Sequence, residues 1–214
     1  MSDPTCIVFV VDDDPLVRDS VADLLGAAGF ATQTFGSATQ FIQAKRPDVS
    51  SCLILDVELP DLSGLDLQTD LAKSSVEVPI IFLTGHGDIP KSVRAMKAGA
   101  VEFLTKPFRV EELVDAVRHA LVRDGDFRKQ RSETLKLREG LGTLTPRERQ
   151  VLALVVAGLL NKQIAGELGT TELTIKAHRG RVMRKMNAAS LADLVRMAEK
   201  LKISPPQPSS TKVE

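Results

Sequence analysis

The chain has 214 residues, 43% hydrophobic and 4% aromatic, with 28 basic and 28 acidic side chains. This length suits one large domain or two small ones, and the apolar content excludes a chain too polar to pack a core. The formal net charge of zero conceals a division: residues 1–124 hold 11 Lys and Arg against 19 Asp and Glu, whereas residues 125–214 hold 17 against 9. An acidic module of net −8 therefore precedes one of net +8 that suits a polyanionic partner.

The run CIVFVV (6–11) is continuously apolar and β-branched, as in a strand buried on both faces. PLVRDSVADLLGAAG (15–29) follows with helical spacing, Asp14 as N-cap, Pro15 at the first helical position and Gly29 at the stop. FATQTF (30–35) alternates like an outer strand, and SATQFIQAKR (37–46) reads as a short helix capped by Ser37. SCLIL (51–55) is the next buried strand, with a helix over 62–74. VPIIFLT (78–84) and VEFLT (101–105) are strands separated by the helix IPKSVRAMKAGA (89–100), and a further helix starts at Val110. Five β–α units in about 120 residues predict an α/β fold with a doubly wound, five-stranded parallel sheet. Ligand chemistry in such sheets gathers at the carboxyl ends of the strands.

Those ends carry Asp12 and Asp13, Asp56, Thr84, and Lys106 followed by Pro107. Any one of them alone reads as a solvated loop residue; together, in this order, they form a pattern. That pattern resembles the receiver domain of two-component response regulators, with the flavodoxin-like fold of the chemotaxis receiver. The resemblance covers residues 5–122. It implies that Asp56 is the nucleophile that accepts a phosphoryl group from a sensor histidine kinase, giving an acyl phosphate. It implies a Mg²⁺ ion held by the side chains of Asp13 and Asp56, by Asp12 mainly through water, and by the backbone carbonyl of Glu58. Lys106 is expected to pair with a phosphoryl oxygen, with a cis bond before Pro107. Thr84 and Phe103 are expected to move together as a switch, although Phe103 also reads as an ordinary core side chain. Glu58 and His86, two residues beyond Asp56 and Thr84, flank the expected phosphoryl position; His86 reads best as an exposed loop residue.

Residues 125–143 are strongly charged, and Phe127, Thr134 and Leu141 are spaced by seven. We expect a helical linker ending in a flexible joint at EGLGT (139–143). TPRERQVLALVVAGL opens on Thr145 as N-cap with Glu148 at the capping-box position. NKQIAGELG reads as a short helix capped by Asn161. TTELTIKAHRGRVMRKM is a longer one capped by Thr170 or Thr171, and SLADLVRMAEKL is capped by Ser190. In the third of these four helices, Ile175, Val182 and Met186 fall on one side. Leu173, Ala177, Gly180 and Arg184 fall opposite, with Lys176 and Arg181 at the margins. The segment from Leu144 to Met186 resembles the LuxR-type helix–turn–helix. With the receiver in front, the whole chain resembles the NarL/FixJ family of response regulators.

The domain expectation is a phosphoacceptor receiver at 1–124, a linker at 125–143, a four-helix DNA-binding domain at 144–204, and a Pro/Ser-rich disordered tail at 205–214. The resemblance implies a regulator rather than an enzyme, a homodimer on phosphorylation, and double-stranded promoter DNA as ligand. RNA polymerase would be a further partner. The DNA contacts it implies are Asn161, Lys162, Thr171, Leu173, Thr174, Lys176, Ala177, Gly180, Arg181 and Arg184. No membrane partner is expected, because the longest apolar run, VLALVVAGLL, is about half of the ~20 residues a spanning helix needs. The start of the chain has no leader-like pattern, Cys6 and Cys52 read as reduced, buried thiols, and the expected location is the cytoplasm. Two rival readings are a phosphate-independent DNA-binding protein with a vestigial receiver, and a phosphohydrolase that works through an aspartyl phosphate.

Overall fold

The computed structural model of the chain describes residues 6–74, 77–85 and 88–203. His86 and the expected tail at 205–214 lie outside these residues. The chain divides into two compact units, Met1–Arg128 and Lys129–Glu214.

In the first unit the elements alternate: β1 (Cys6–Val11), α1 (Pro15–Ala27), β2 (Ala31–Phe35), α2 (Ala38–Gln43), β3 (Ser50–Asp56), α3 (Gly64–Lys73), β4 (Ile80–Thr84), α4 (Ile89–Lys97), β5 (Glu102–Thr105) and α5 (Val110–Gly142). The five strands form one parallel sheet in the order β2-β1-β3-β4-β5. The strand alternation splits the core in two. Phe9, Val11, Leu53, Leu55 and Phe82 face α2, α3 and α4, where they meet Phe41, Leu67 and Ala95. Val8, Val10, Cys52, Ile54 and Ile81 face α1 and α5, where they meet Leu25, Leu113 and Val117. Both faces of the central strands are covered, which is why their sequences read as unbroken apolar runs. Burial also pushes the Cys52 thiol up, so it stays protonated and inert. The caps fall where the sequence puts them at α1 and α2: Asp14 accepts from Leu16 N at 2.9 Å, and Ser37 from Gln40 N at 3.2 Å.

Helix α5 carries a clamp at the opposite end of β3 from Asp56. Asp124 is buried and accepts from Ser51 N at 2.9 Å and from Arg128 Nε at 2.7 Å, and Arg128 also pairs with Asp48. A buried carboxylate needs such partners, because an unpaired one is costly to desolvate.

The second unit comprises the end of α5 with α6 (Pro146–Val156), α7 (Asn161–Glu167), α8 (Glu172–Lys185) and α9 (Leu191–Lys200). Its core is built from Leu152, Val155, Ile164, Ile175, Val182, Met186 and Leu194. Two expectations are corrected. The segment 139–143 is not a joint: α5 continues to Gly142. Gly140 serves close packing, since a Cβ there would lie 3.1 Å from the Lys185 carbonyl oxygen. Asn161 is not a cap. It is the first residue of α7, and Gln163 Oε1 accepts from Leu160 N at 2.8 Å in its place.

The capping box of α6 is complete. Thr145 N donates to Glu148 Oε2 at 2.9 Å, and Glu148 N donates to Thr145 Oγ1 at 3.2 Å. Glu148 is buried and also accepts from Lys185 Nζ at 2.7 Å, which joins the start of α6 to the end of α8. The Lys185 ammonium, helped by the Thr145 amide, holds the Glu148 carboxyl down at about 2. A carboxylate depressed in the fold contributes stability above its ordinary value of 4.5, and this is lost as pH falls toward about 2. Denaturant unfolding of the chain, followed by helix signal, should therefore show the helical transition weakening across that window. Glu148→Gln should flatten the dependence; an unchanged slope in that variant would contradict the pairing.

Candidate functional site

The parallel sheet brings the carboxyl ends of β1, β3, β4 and β5 to one edge. There Lys106 Nζ lies 2.6 Å from Asp12 Oδ2 and 2.7 Å from Asp56 Oδ1. Asp12 and Asp56 are 2% and 6% exposed, so two carboxylates are held almost out of water around one ammonium. Burial pushes the Asp56 carboxyl up, against the hydrogen bond and charge of Lys106 that pull it down. Burial pulls Lys106 down, but its hydrogen bonds to Asp12 and Asp56 outweigh that and raise it. The lysine stays cationic, and its charge opposes the effect of burial on Asp56.

Backbone groups fix each member. Asp56 Oδ2 accepts from Glu58 N at 2.6 Å, and Asp12 Oδ1 accepts from Asp14 N at 3.0 Å. Arg18, which sequence reasoning missed, donates to the Asp12 carbonyl at 2.7 Å. Thr84 is buried at the end of β4, and its carbonyl accepts from Lys106 N at 2.7 Å. The Lys106–Pro107 peptide is cis. Asp13 is exposed on the same edge, and the Glu58 side chain pairs with Lys91 at 2.8 Å. Phe103 is half-buried on β5, in register with Phe82 and with ring centroids 6.1 Å apart. The structure thus brings Asp12, Asp56 and Lys106 into contact, sets Thr84 and Glu58 beside them through the backbone, and leaves Asp13 and Phe103 outside the contact.

No three metal-ligating side chains converge on one point among the described residues. The donor chemistry nevertheless fits a hard cation: two buried carboxylates, a third acid one residue on, and only oxygen donors. The position of Lys106 between Asp12 and Asp56 marks where positive charge is required.

Residues 8–118 match the response regulator receiver domain family, and residues 142–198 match the family of bacterial regulatory proteins of the luxR type. The chain belongs to the response regulators of the NarL/FixJ family. It is 54% identical to nodulation protein W of Bradyrhizobium diazoefficiens, over 97% of this chain and 91% of that protein. It is 44% identical to the transcriptional regulatory protein FixJ of Rhizobium meliloti, over 89% of this chain and 94% of that one. Among solved structures it resembles the response regulator StyR, with 49% identity, a TM-score of 0.81, and coverage of 91% of this chain and 98% of that one.

In the LuxR-type unit of this response regulator, α8 buries Ile175 and Val182, with Met186 buried just beyond its end. Leu173, Lys176, Ala177, Gly180, Arg181 and Arg184 are exposed, as are Lys162 and Thr171. Thr171 caps α8 by accepting from Thr174 N at 3.2 Å, and the two hydroxyls lie 2.9 Å apart. Asn161 is half-buried and accepts from Arg179 Nη1 at 3.1 Å, so it is engaged within the fold.

Gly64 is a further determinant that the sequence reading did not single out. A Cβ there would lie 2.3 Å from the Asp56 carbonyl oxygen, while Gly64 N donates to the Val57 carbonyl at 3.0 Å. The loop after Asp56 thus folds back onto the strand end, and only glycine fits. Gly64→Ala should cost about 1–3 kcal/mol through forced backbone shifts, and it should also lower phosphodonor reactivity by displacing Asp56. Urea denaturation and a phosphorylation time course check both; a variant equal to wild type in both measurements would contradict the close approach.

Proposed function

We propose that this chain is a phosphorylation-activated transcriptional regulator in which Asp56 accepts a phosphoryl group from a sensor histidine kinase and the second unit binds promoter DNA. The observation that carries the reading is the Asp12–Lys106–Asp56 cluster at the sheet edge, in a chain whose second unit belongs to the LuxR type. Asp56 Oδ1 or Oδ2 attacks the donor phosphorus, the bond to the donor breaks, and the aspartyl phosphate remains. Glu58 N holds one oxygen of the nucleophile at 2.6 Å and orients the other. A phosphoryl group brings roughly −1.5 to −2 charge. In this reading Lys106 turns from the carboxylates to a phosphoryl oxygen, and the Thr84 hydroxyl donates to another.

Mg²⁺ would be held by Asp12, Asp13, Asp56 and the Glu58 carbonyl. When bound, it supplies charge neutralisation for the phosphoryl oxygens and for the clustered acids beside Lys106. Movement of Thr84 would draw Phe103 inward from β5. Helix α4 presents Ile89, Val93 and Met96, all exposed, on one stripe beside that strand. This apolar stripe supports a dimer formed through α4 and β5, which pairs two helix–turn–helix units on two half-sites. We assign the receiver to residues 1–124, the linker to 125–143 and the DNA-binding domain to 144–204. Lys176, Arg181, Arg184 and Lys162 would contact phosphate or base edges, with RNA polymerase as a further partner. Among the described residues no helix is long and apolar enough to cross a membrane, and we assign the chain to the cytoplasm.

With acetyl phosphate and Mg²⁺, the chain should gain one alkali-labile phosphoryl adduct, on Asp56. Chelation should abolish the gain, and the modified sample should sediment as a dimer. Mass spectrometry checks the site; an Asp56→Asn protein that takes up the same adduct in equal yield would overturn the assignment.

A further inference from the structure

Helix α8 presents two kinds of groove chemistry: cations suited to phosphate or guanine, and an apolar outer stripe. Its exposed residues are Glu172, Leu173, Lys176, Ala177, Gly180, Arg181, Arg184 and Lys185. No Asn or Gln is among them, so the bidentate pairing that reads adenine is missing from this helix. Leu173 is 78% exposed in the first turn, the part of a recognition helix that reaches base edges. Its position is fixed, because Thr171 caps the helix just before it and Thr174 follows it, their hydroxyls 2.9 Å apart. One turn on lies Ala177, and beyond it Gly180, where a Cβ would meet nothing within 4 Å. Packing within the fold therefore does not require glycine there, and glycine inside a helix is disfavoured relative to alanine. Lys176 and Arg181 border this stripe and Arg184 closes it toward the end of the helix, cations that match the charge of a phosphate backbone.

We infer that Leu173 is a specificity-determining residue that reads the C5-methyl group of a thymine in the major groove. An apolar side chain can read only that feature of a base edge. Ala177 and Gly180 keep the rest of the stripe low, so the helix can seat deeply enough for Leu173 to reach it. The inference rests on the reading of the second unit as a DNA binder and adds the chemistry of its discrimination.

The test uses the full chain, treated with acetyl phosphate and Mg²⁺. A duplex is first selected from a randomised pool and then remade with deoxyuridine at single thymidine positions, which removes the methyl and keeps the base pair. Wild type should lose roughly fourfold in affinity at one thymine of each half-site, the scale of one buried methyl. Leu173→Ala should bind the thymine and uracil duplexes equally, at the level of wild type on the uracil duplex. Leu173→Met should keep the discrimination, and both variants should match the wild-type circular dichroism and thermal unfolding, so that the fold is intact. Full methyl discrimination in Leu173→Ala, or none at any thymine in wild type, would overturn the inference alone. If wild type enriches no duplex at all, the DNA-binding reading falls with it.

Discussion

Two carboxylates held out of water around one ammonium are the constraint on which the rest of this molecule depends. Asp12 and Asp56 sit at the ends of adjacent strands, β1 and β3, and Lys106 Nζ contacts both, at 2.6 and 2.7 Å. The apolar strands behind them set their separation, and the loops in front supply Glu58 N and Asp14 N as fixed donors. The site is therefore primed for anionic chemistry yet sensitive to any new charge. A phosphoryl group placed on Asp56 changes the balance that Lys106 maintains. Because the Lys106 amide also hydrogen-bonds the Thr84 carbonyl, displacement of one strand end is felt at its neighbour.

The second unit rests on a similar device used for a different end. Glu148 closes the capping box of α6 and at the same time receives Lys185 from α8. One buried acid thus fixes the angle between the first helix of the unit and the helix whose outer face is basic. Arg179 does the same for α7 and α8 by donating to Asn161. The outer face of α8 is left without internal duties, so its cations and its exposed leucine are available to an external surface.

Most of this was readable before the structure, for physical reasons that differ by element. The unbroken apolar runs of β1, β3 and β4 announce strands covered on both faces, and the sheet covers them so. Asp14, Ser37, Thr145, Thr171 and Ser190 are local signals, and each caps its helix. The failures are tertiary. Asn161 is a good capping residue by type, but the Gln163 side chain takes that role. The glycines at 139–143 look like a hinge in one dimension, whereas Gly140 admits the Lys185 carbonyl. Gly64 and Arg18 are invisible in sequence because what they approach, the backbone of Asp56 and of Asp12, comes near only once the strand ends are assembled. Asp12 and Asp56 were named from their places at strand ends, but that both lean on one lysine is a fact of geometry.

The central claim is that charge placed on Asp56 controls DNA binding by the second unit. The most direct measurement is the affinity of the full chain for a selected duplex at fixed salt, before and after acetyl phosphate, in wild type and in Asp56→Asn. A coupling of ~1–3 kcal/mol between the two sites predicts a gain of roughly fivefold to 150-fold in wild type and none in the variant. Equal affinity in all four samples would contradict the account.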